Sequence, residues 1–186
     1  LLAEMHARSA EVPTALQGLS RRLQARHTLL GSHDDTDATA NALARGLGAM
    51  ICEFPETKAA AEAAATTQRS VVLGAPNVVR GGSHNGNVSA ADMARRKLCC
   101  ALASDYHYPS LRFAALALAK DIGLARAWGL ISSGPARILD LSDRGSLEIG
   151  MRGDFVVLDP DSQRVMATFA KGRPSYLTGA VAERFL

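Results

Sequence analysis

The chain lacks most of what would mark it as secreted, membrane-spanning or bound to nucleic acid. It has three cysteines, Cys52, Cys99 and Cys100, an odd number without framework spacing, all inside apolar runs. That excludes a disulfide scaffold and a zinc ribbon, and it implies buried thiols in a reducing compartment. Aromatic residues are 5% of the 186 and no block of Lys and Arg interleaves with them, so no nucleic-acid face is expected. There is no run of about 20 apolar residues to cross a membrane. The opening Leu1-Leu-Ala-Glu-Met-His6 lacks the basic start and apolar centre of a signal peptide. A cytoplasmic protein with neither membrane nor nucleic acid as a partner is expected. The first residue is a leucine inside what reads as a helix, so upstream sequence is expected too.

What is present is the material of one sizeable core and a small appendage. Hydrophobic residues make up 47% of the chain, and 21 basic against 18 acidic residues leave a net charge of +3. So mild an excess leaves anionic small molecules as the natural partners. From Leu1 to Arg26 the apolar residues fall at helical spacing. After that a unit repeats four times: a short apolar strand, a polar terminus, a helix. The strands are expected within 27–31, 47–54, 70–73 and 98–103, and Asp34, Asp35 or Thr36 can cap the helix after the first. Ser89 with Asp92 reads as a capping box. Such alternation implies parallel strands with right-handed crossovers. In sheets of that kind chemistry gathers at the carboxyl ends of the strands, and those ends carry His33, Glu53, the segment from Arg80 to Asn87, and Asp105. The tail changes character. Gly, Asp and Pro divide short strand-like runs, which gives a small antiparallel β unit over 141–186, with the α/β part over 1–140.

The stretch from Gly74 to Ser89 is expected to be a loop presenting backbone to a ligand. Its glycines and asparagines permit positive φ, and Arg80, Ser83, His84 and Asn85 offer donors to anionic oxygens, as do the Gly81 and Gly82 amides. The competing reading is an ordinary Gly/Asn surface turn. His33 and Asp105 are of ligand type for a divalent ion such as zinc or manganese. They are equally a loop histidine and a helix-capping aspartate. Glu53 is a ligand, an acceptor behind one, or a solvated strand end. His84 binds metal, donates to a substrate oxygen, or does neither. His107 reads as an exposed residue at the mouth of the site, His6 and His27 as structural, and Arg95, Arg96 and Lys97 as a solvated helix end. If a metal is present, hydrolysis follows. The ion makes hydroxide available at neutral pH, Asp105 is the candidate ligand and base, and Arg80 and the glycine amides stabilise charge on phosphoryl oxygens.

These residues resemble the metal-dependent amidohydrolase superfamily. The resemblance rests on Gly31-Ser-His33-Asp-Asp-Thr36, Glu53-Phe-Pro-Glu-Thr57, the long Gly74 to Ser89 motif and Ser104-Asp105-Tyr106, with Gly153-Asp154-Phe-Val-Val-Leu-Asp159 in the tail. It implies the C-terminal half of a (β/α)8 TIM-type barrel with a small β appendage, His33 and Asp105 being the fifth- and eighth-strand metal ligands. Glu53 stands where many members have a sixth-strand histidine. Within the superfamily the motifs look like those of a phosphonate-metabolism subfamily of the carbon–phosphorus lyase pathway. Its members hydrolyse a ribose 1-methylphosphonate 5-triphosphate to the 5-phosphate and pyrophosphate. Amide hydrolysis or deamination within the superfamily, and a non-catalytic anion-binding module, are the alternatives. The first-strand His-x-His and the bridging fourth-strand residue are absent, so the half-barrel is expected to be impaired alone, or to lean on another copy.

Overall fold

The computed structural model describes residues 2–82 and 88–184, with Leu2 in backbone only. Contacts divide the chain into two compact units, Leu1–Ile131 and Ser132–Leu186. The sequence placed the change of character at 140/141. Helix α9 (Ser133–Ile138) therefore belongs with the second unit, where Leu141 N donates to Ala136 O at 2.8 Å.

In the first unit α1 (Leu2–Ala7), a 3-10 turn and α2 (Val12–Gln24) lead into β1 (Gly31–His33). The repeat then runs α3 (Ala38–Gly46), β2 (Ile51–Glu53), α4 (Lys58–Thr66), β3 (Ser70–Gly74), α5 (Ala75–Arg80), α6 (Ala90–Arg95), β4 (Ala101–Ala103), α7 (Ser110–Ile122) and α8 (Leu124–Gly129). The four strands lie parallel in chain order, β1-β2-β3-β4. These are the parallel strands that the alternation implied, in the four-stranded half-barrel pattern that the resemblance implied. β2 and β4 are shorter than the apolar runs suggested and β1 lies further along the chain, because the first residues of those runs close the turn out of the preceding helix, whereas β3 falls where its run was expected. His27, Gly48, Gln68 and Lys97 all take left-handed φ, between 56° and 78°. Just beyond them Thr28, Ala49, Arg69 and Leu98 donate back to Leu23, Ala44, Ala64 and Met93, at 2.9 to 3.1 Å. One helix-ending motif thus serves all four turns. At Gly48 a Cβ would also lie 2.3 Å from Gln24 Nε2, so a larger residue there would have to displace that side chain.

Alternate strand residues enter the core between sheet and helices: Cys52, Val71, Leu73 and Leu102 pack with Val78, Met93, Leu118 and Leu130. The face that α4 buries is Ala60, Ala61 and Ala64, small side chains that bring the helix close to the strands. Of the two helix starts with an expected cap, one differs from expectation and one agrees. The cap of α3 is Asp37, whose carboxylate accepts from Ala40 N at 2.8 Å. Asp34 and Asp35 are engaged elsewhere, and the Thr36 carbonyl accepts from Thr57. Ser89 does cap α6 by accepting from Asp92 N. No helix among the described residues is long and apolar enough to cross a membrane.

The second unit carries an antiparallel sheet, β5 (Phe155–Leu158), β6 (Val165–Ala170) and β7 (Arg173–Leu177). Phe155 and Phe169 are paired in register and stack with centroids 4.5 Å apart. Lys171 and Gly172, both at positive φ, make the two-residue turn between β6 and β7. The helix α10 (Gly179–Ala182) follows.

Burial pushes the Cys99 thiol up to about 12, and neighbouring Cys100 adds to the shift; burial does the same to Cys52. Both thiols therefore stay neutral in the folded state well above the pH at which an unfolded cysteine ionises. With a thiol-specific reagent at pH 8, the native chain should give one rapidly titrating cysteine, the half-buried Cys100, and all three only in denaturant. Three fast thiols in the native chain would mean that this core is open.

Candidate functional site

The carboxyl ends of β1 and β2 lie side by side, His33 paired in register with Glu53. Period-two alternation sends Ser32 and Cys52 to the helix side and His33 and Glu53 to the other. His33 Nδ1 lies 3.0 Å from Asp34 Oδ2, within ion-pair distance of that carboxylate. That leaves Nε2 on the side of Glu53, 4.0 Å from its Oε2. A carboxylate beside one ring nitrogen, with the other nitrogen turned toward a second carboxylate, is compatible with a metal-ligating histidine. The sequence reading took Asp34 for a cap, and only its adjacency to His33 could have suggested this role.

The turns after the strands are held in a strained conformation. Asp34, Phe54 and Asp105 take φ of 59°, 52° and 52°, unusual for aspartate and an outlier for phenylalanine. Neighbouring turns are tied to one another: Asp34 N donates to Glu53 O, Phe54 N to Val72 O, Glu56 N to Asp35 O and Val88 N to Glu56 O, each at 2.9 or 3.0 Å. The Phe54 ring meets the His33 ring edge-on at 5.3 Å. It also lies 3.8 Å from where a Gly74 Cβ would stand, and Asp105 Oδ2 comes within 4.0 Å of that same point. Phe54 thus touches His33 and the strand end beside Asp105. His33 and Glu53 come together as two donors, while Asp105 stands apart. No group of three His, Cys, Asp or Glu able to hold a metal occurs among the described residues. Imidazole nitrogen and carboxylate oxygen fit zinc or manganese in chemistry, so the pair suits part of a metal site. Asp105 caps no helix: α7 starts behind Pro109 without a side-chain cap, and Asp105 is exposed.

Residues 75–80, expected as loop, form the helix α5. Pro76 stands in its first turn and Gly81, at φ 81°, ends it. The expected role of the Gly81 and Gly82 amides is corrected accordingly. They donate to Val78 O and Asn77 O at 3.1 and 3.0 Å, so they satisfy the helix end instead of facing an anion. Arg80 is engaged with Tyr106. Its guanidinium donates to the Tyr106 hydroxyl and lies 5.7 Å over the Tyr106 ring, which joins the end of α5 to the turn that carries Asp105. Ser83, His84 and Asn85 lie outside the described residues. Asn77 ties α5 to the start of α6: its Nδ2 donates to Val88 O at 3.1 Å and its Oδ1 accepts from Ala90 N at 3.0 Å. His107 is exposed, as expected.

Beneath the strand ends is a buried cluster that the sequence reading missed. Arg69 and Asp35, 1% and 5% exposed, pair at 2.9 Å. The same Asp35 oxygen accepts from Asn41 Nδ2 at 3.1 Å and from Cys52 Sγ at 3.4 Å. Burial pushes the Asp35 carboxyl up, but hydrogen bonds from Ser32, Arg69 and Cys52 outweigh it and hold the group below the ordinary carboxylate range.

No family model matches the chain. It is 41% identical over 145 residues to the alpha-D-ribose 1-methylphosphonate 5-triphosphate diphosphatase of Escherichia coli (strain K12), a match over 76% of this chain and 38% of that protein. In structure it resembles a crystal structure of an amidohydrolase, with TM-score 0.66 and 14% identity over 89% of this chain and 48% of the other. It also resembles a prolidase complexed with N-methylphosphonate-L-proline, with TM-score 0.62 and 18% identity over 88% and 48%. The chain thus spans under half the length of these relatives.

Replacing Asn77 with alanine should cost about 1–2 kcal/mol, through two lost hydrogen bonds, and should speed exchange of the Ala90 amide selectively. Urea unfolding and amide exchange measure the two effects. In sequence the chain is thus a relative of part of that diphosphatase, and in fold it resembles part of the amidohydrolase structures.

Proposed function

We propose that this chain contributes the carboxyl-side half of a cytoplasmic, metal-dependent diphosphatase. The enzyme would cleave alpha-D-ribose 1-methylphosphonate 5-triphosphate to the 5-phosphate and pyrophosphate. The observation that carries the reading is the 41% identity to the protein of that name. The strand-end chemistry supports it. His33 and Glu53 would offer nitrogen and oxygen to a divalent ion, with Asp34 keeping the imidazole in the right tautomer. Such an ion, when bound, supplies positive charge at the phosphoryl oxygens and acidifies water. Asp105, exposed on its strained turn, would take the proton of the attacking water. Arg80 would leave the Tyr106 ring to meet the triphosphate, its planar fork suited to phosphate oxygens. Ser83, His84 and Asn85 are proposed as further substrate contacts, and a second copy of the chain as a partner that covers open strand edges.

Elemental analysis of the purified chain and of His33→Ala and Asp105→Ala tests the reading. About one or more equivalents of zinc or manganese in the unmutated chain, lost in His33→Ala, is the expected result. Pyrophosphate release from the ribose triphosphate should be slow compared with a full-length diphosphatase, and slower still in Asp105→Ala. A folded chain without metal, or one that hydrolyses amides in preference to the triphosphate, would sink the reading.

A further inference from the structure

Arg69 lies outside every role assigned so far, yet it is among the largest fully buried side chains of the molecule. It sits in the turn between α4 and β3, and its five N–H donors meet five acceptors. Nε donates to Ala49 O at 2.7 Å. Nη1 donates to Asp35 Oδ2 at 2.9 Å and to Asn41 O at 3.3 Å. Nη2 donates to Ile51 O at 2.7 Å and to the Ser32 hydroxyl. Two of these partners bracket His33: Ser32 is the strand residue before it, and Asp35 lies beyond the left-handed Asp34 after it. Ala49 and Ile51 belong to the neighbouring strand and its approach, which end at Glu53. The His33 side chain is more than half exposed. Besides the edge-on contact of its ring with Phe54, its direction depends on the residues on either side, which Arg69 holds through the Ser32 hydroxyl and the Asp35 carboxylate.

We infer that Arg69, with Asp35 as its counter-charge, is a positioning residue. From inside the sheet it fixes the carboxyl end of β1, and with it the direction in which His33 points toward Glu53. The inference rests on the reading of His33 as a metal donor. A guanidinium suits the task where an ammonium does not, because its planar fork reaches both strands and the turn at once in fixed geometry. Outer groups that orient a ligand typically change metal affinity about 10–100-fold when altered. An arginine that merely filled the core would change stability and leave the affinity of the folded protein as it was.

The test uses Ser32→Ala, which removes one acceptor and leaves Arg69 its other four, and Arg69→Lys, which keeps the charge and loses the fork. Zinc alone is titrated into each folded variant by calorimetry, and amide exchange is followed at Asp34, whose N–H donates to Glu53 O, and at Leu102 on the far strand β4, whose N–H donates to Leu130 O at the end of α8. The expected result is roughly 10-fold weaker zinc binding in Ser32→Ala, weaker still in Arg69→Lys, with faster exchange at Asp34 and unchanged exchange at Leu102. Equal acceleration at Asp34 and Leu102, or unaltered zinc affinity, would overturn the inference. If the unmutated chain binds no zinc, the metal reading of the site fails separately, and exchange confined to Asp34 or shared with Leu102 decides the role of Arg69. Should Arg69→Lys not fold, Ser32→Ala decides alone.

Discussion

The buried guanidinium of Arg69 is the interaction on which the site end of the half-barrel depends. Two charges held out of water gain little net stability from each other, because desolvation offsets most of the attraction. The cost of removing one partner is different, since it strands the other, typically at about 3–5 kcal/mol. Here the stranded group would be Asp35, in the turn that follows His33, with Asn41 and Cys52 bonded to the same oxygen. The pair accordingly acts less as a source of stability than as a constraint. It fixes where β1 stops relative to β2, and so which side chains emerge together.

Above that constraint the strand ends are shaped by backbone strain and by cross-links between turns. Three of the four strands give way to a non-glycine residue at positive φ within two residues of their ends. Two of them are tied to the next strand, Asp34 through Glu53 O and Phe54 through Val72 O. Phe54 is the most costly of these and the most informative. Its ring lies against His33 on one side and the end of β3 on the other, so the spacing between the His33–Glu53 pair and Asp105 is set by an aromatic side chain.

Much of this was legible in the sequence, for identifiable reasons. Four apolar runs, each ending in polar residues and followed by helical periodicity, suffice to specify parallel strands and put His33, Glu53 and Asp105 at their carboxyl ends. The left-handed turns that start the strands were not legible, because only Gly48 among His27, Gly48, Gln68 and Lys97 carries the residue that advertises such a turn. Residues 75–80 were misjudged for the opposite reason. The many glycines beyond Arg80 drew attention as a ligand cradle, when Pro76 and Gly81 are simply the start and stop of a short helix. Arg69 was hidden because a lone arginine ahead of a strand looks like a solvated helix end until its partners, up to 37 residues away, are seen together.

The strand order has a consequence for how the chain reaches this structure. Every pairing in the parallel sheet joins consecutive strands, and the paired residues are only roughly 20 to 30 positions apart. No strand waits for a distant segment to be made, and each new repeat adds onto an edge already in place. Topologies built from such near-neighbour contacts fold faster than those that must close long loops first. The half-barrel is therefore suited to assembling one repeat at a time in the order of synthesis, with Arg69 locking the first two strands as the third is added.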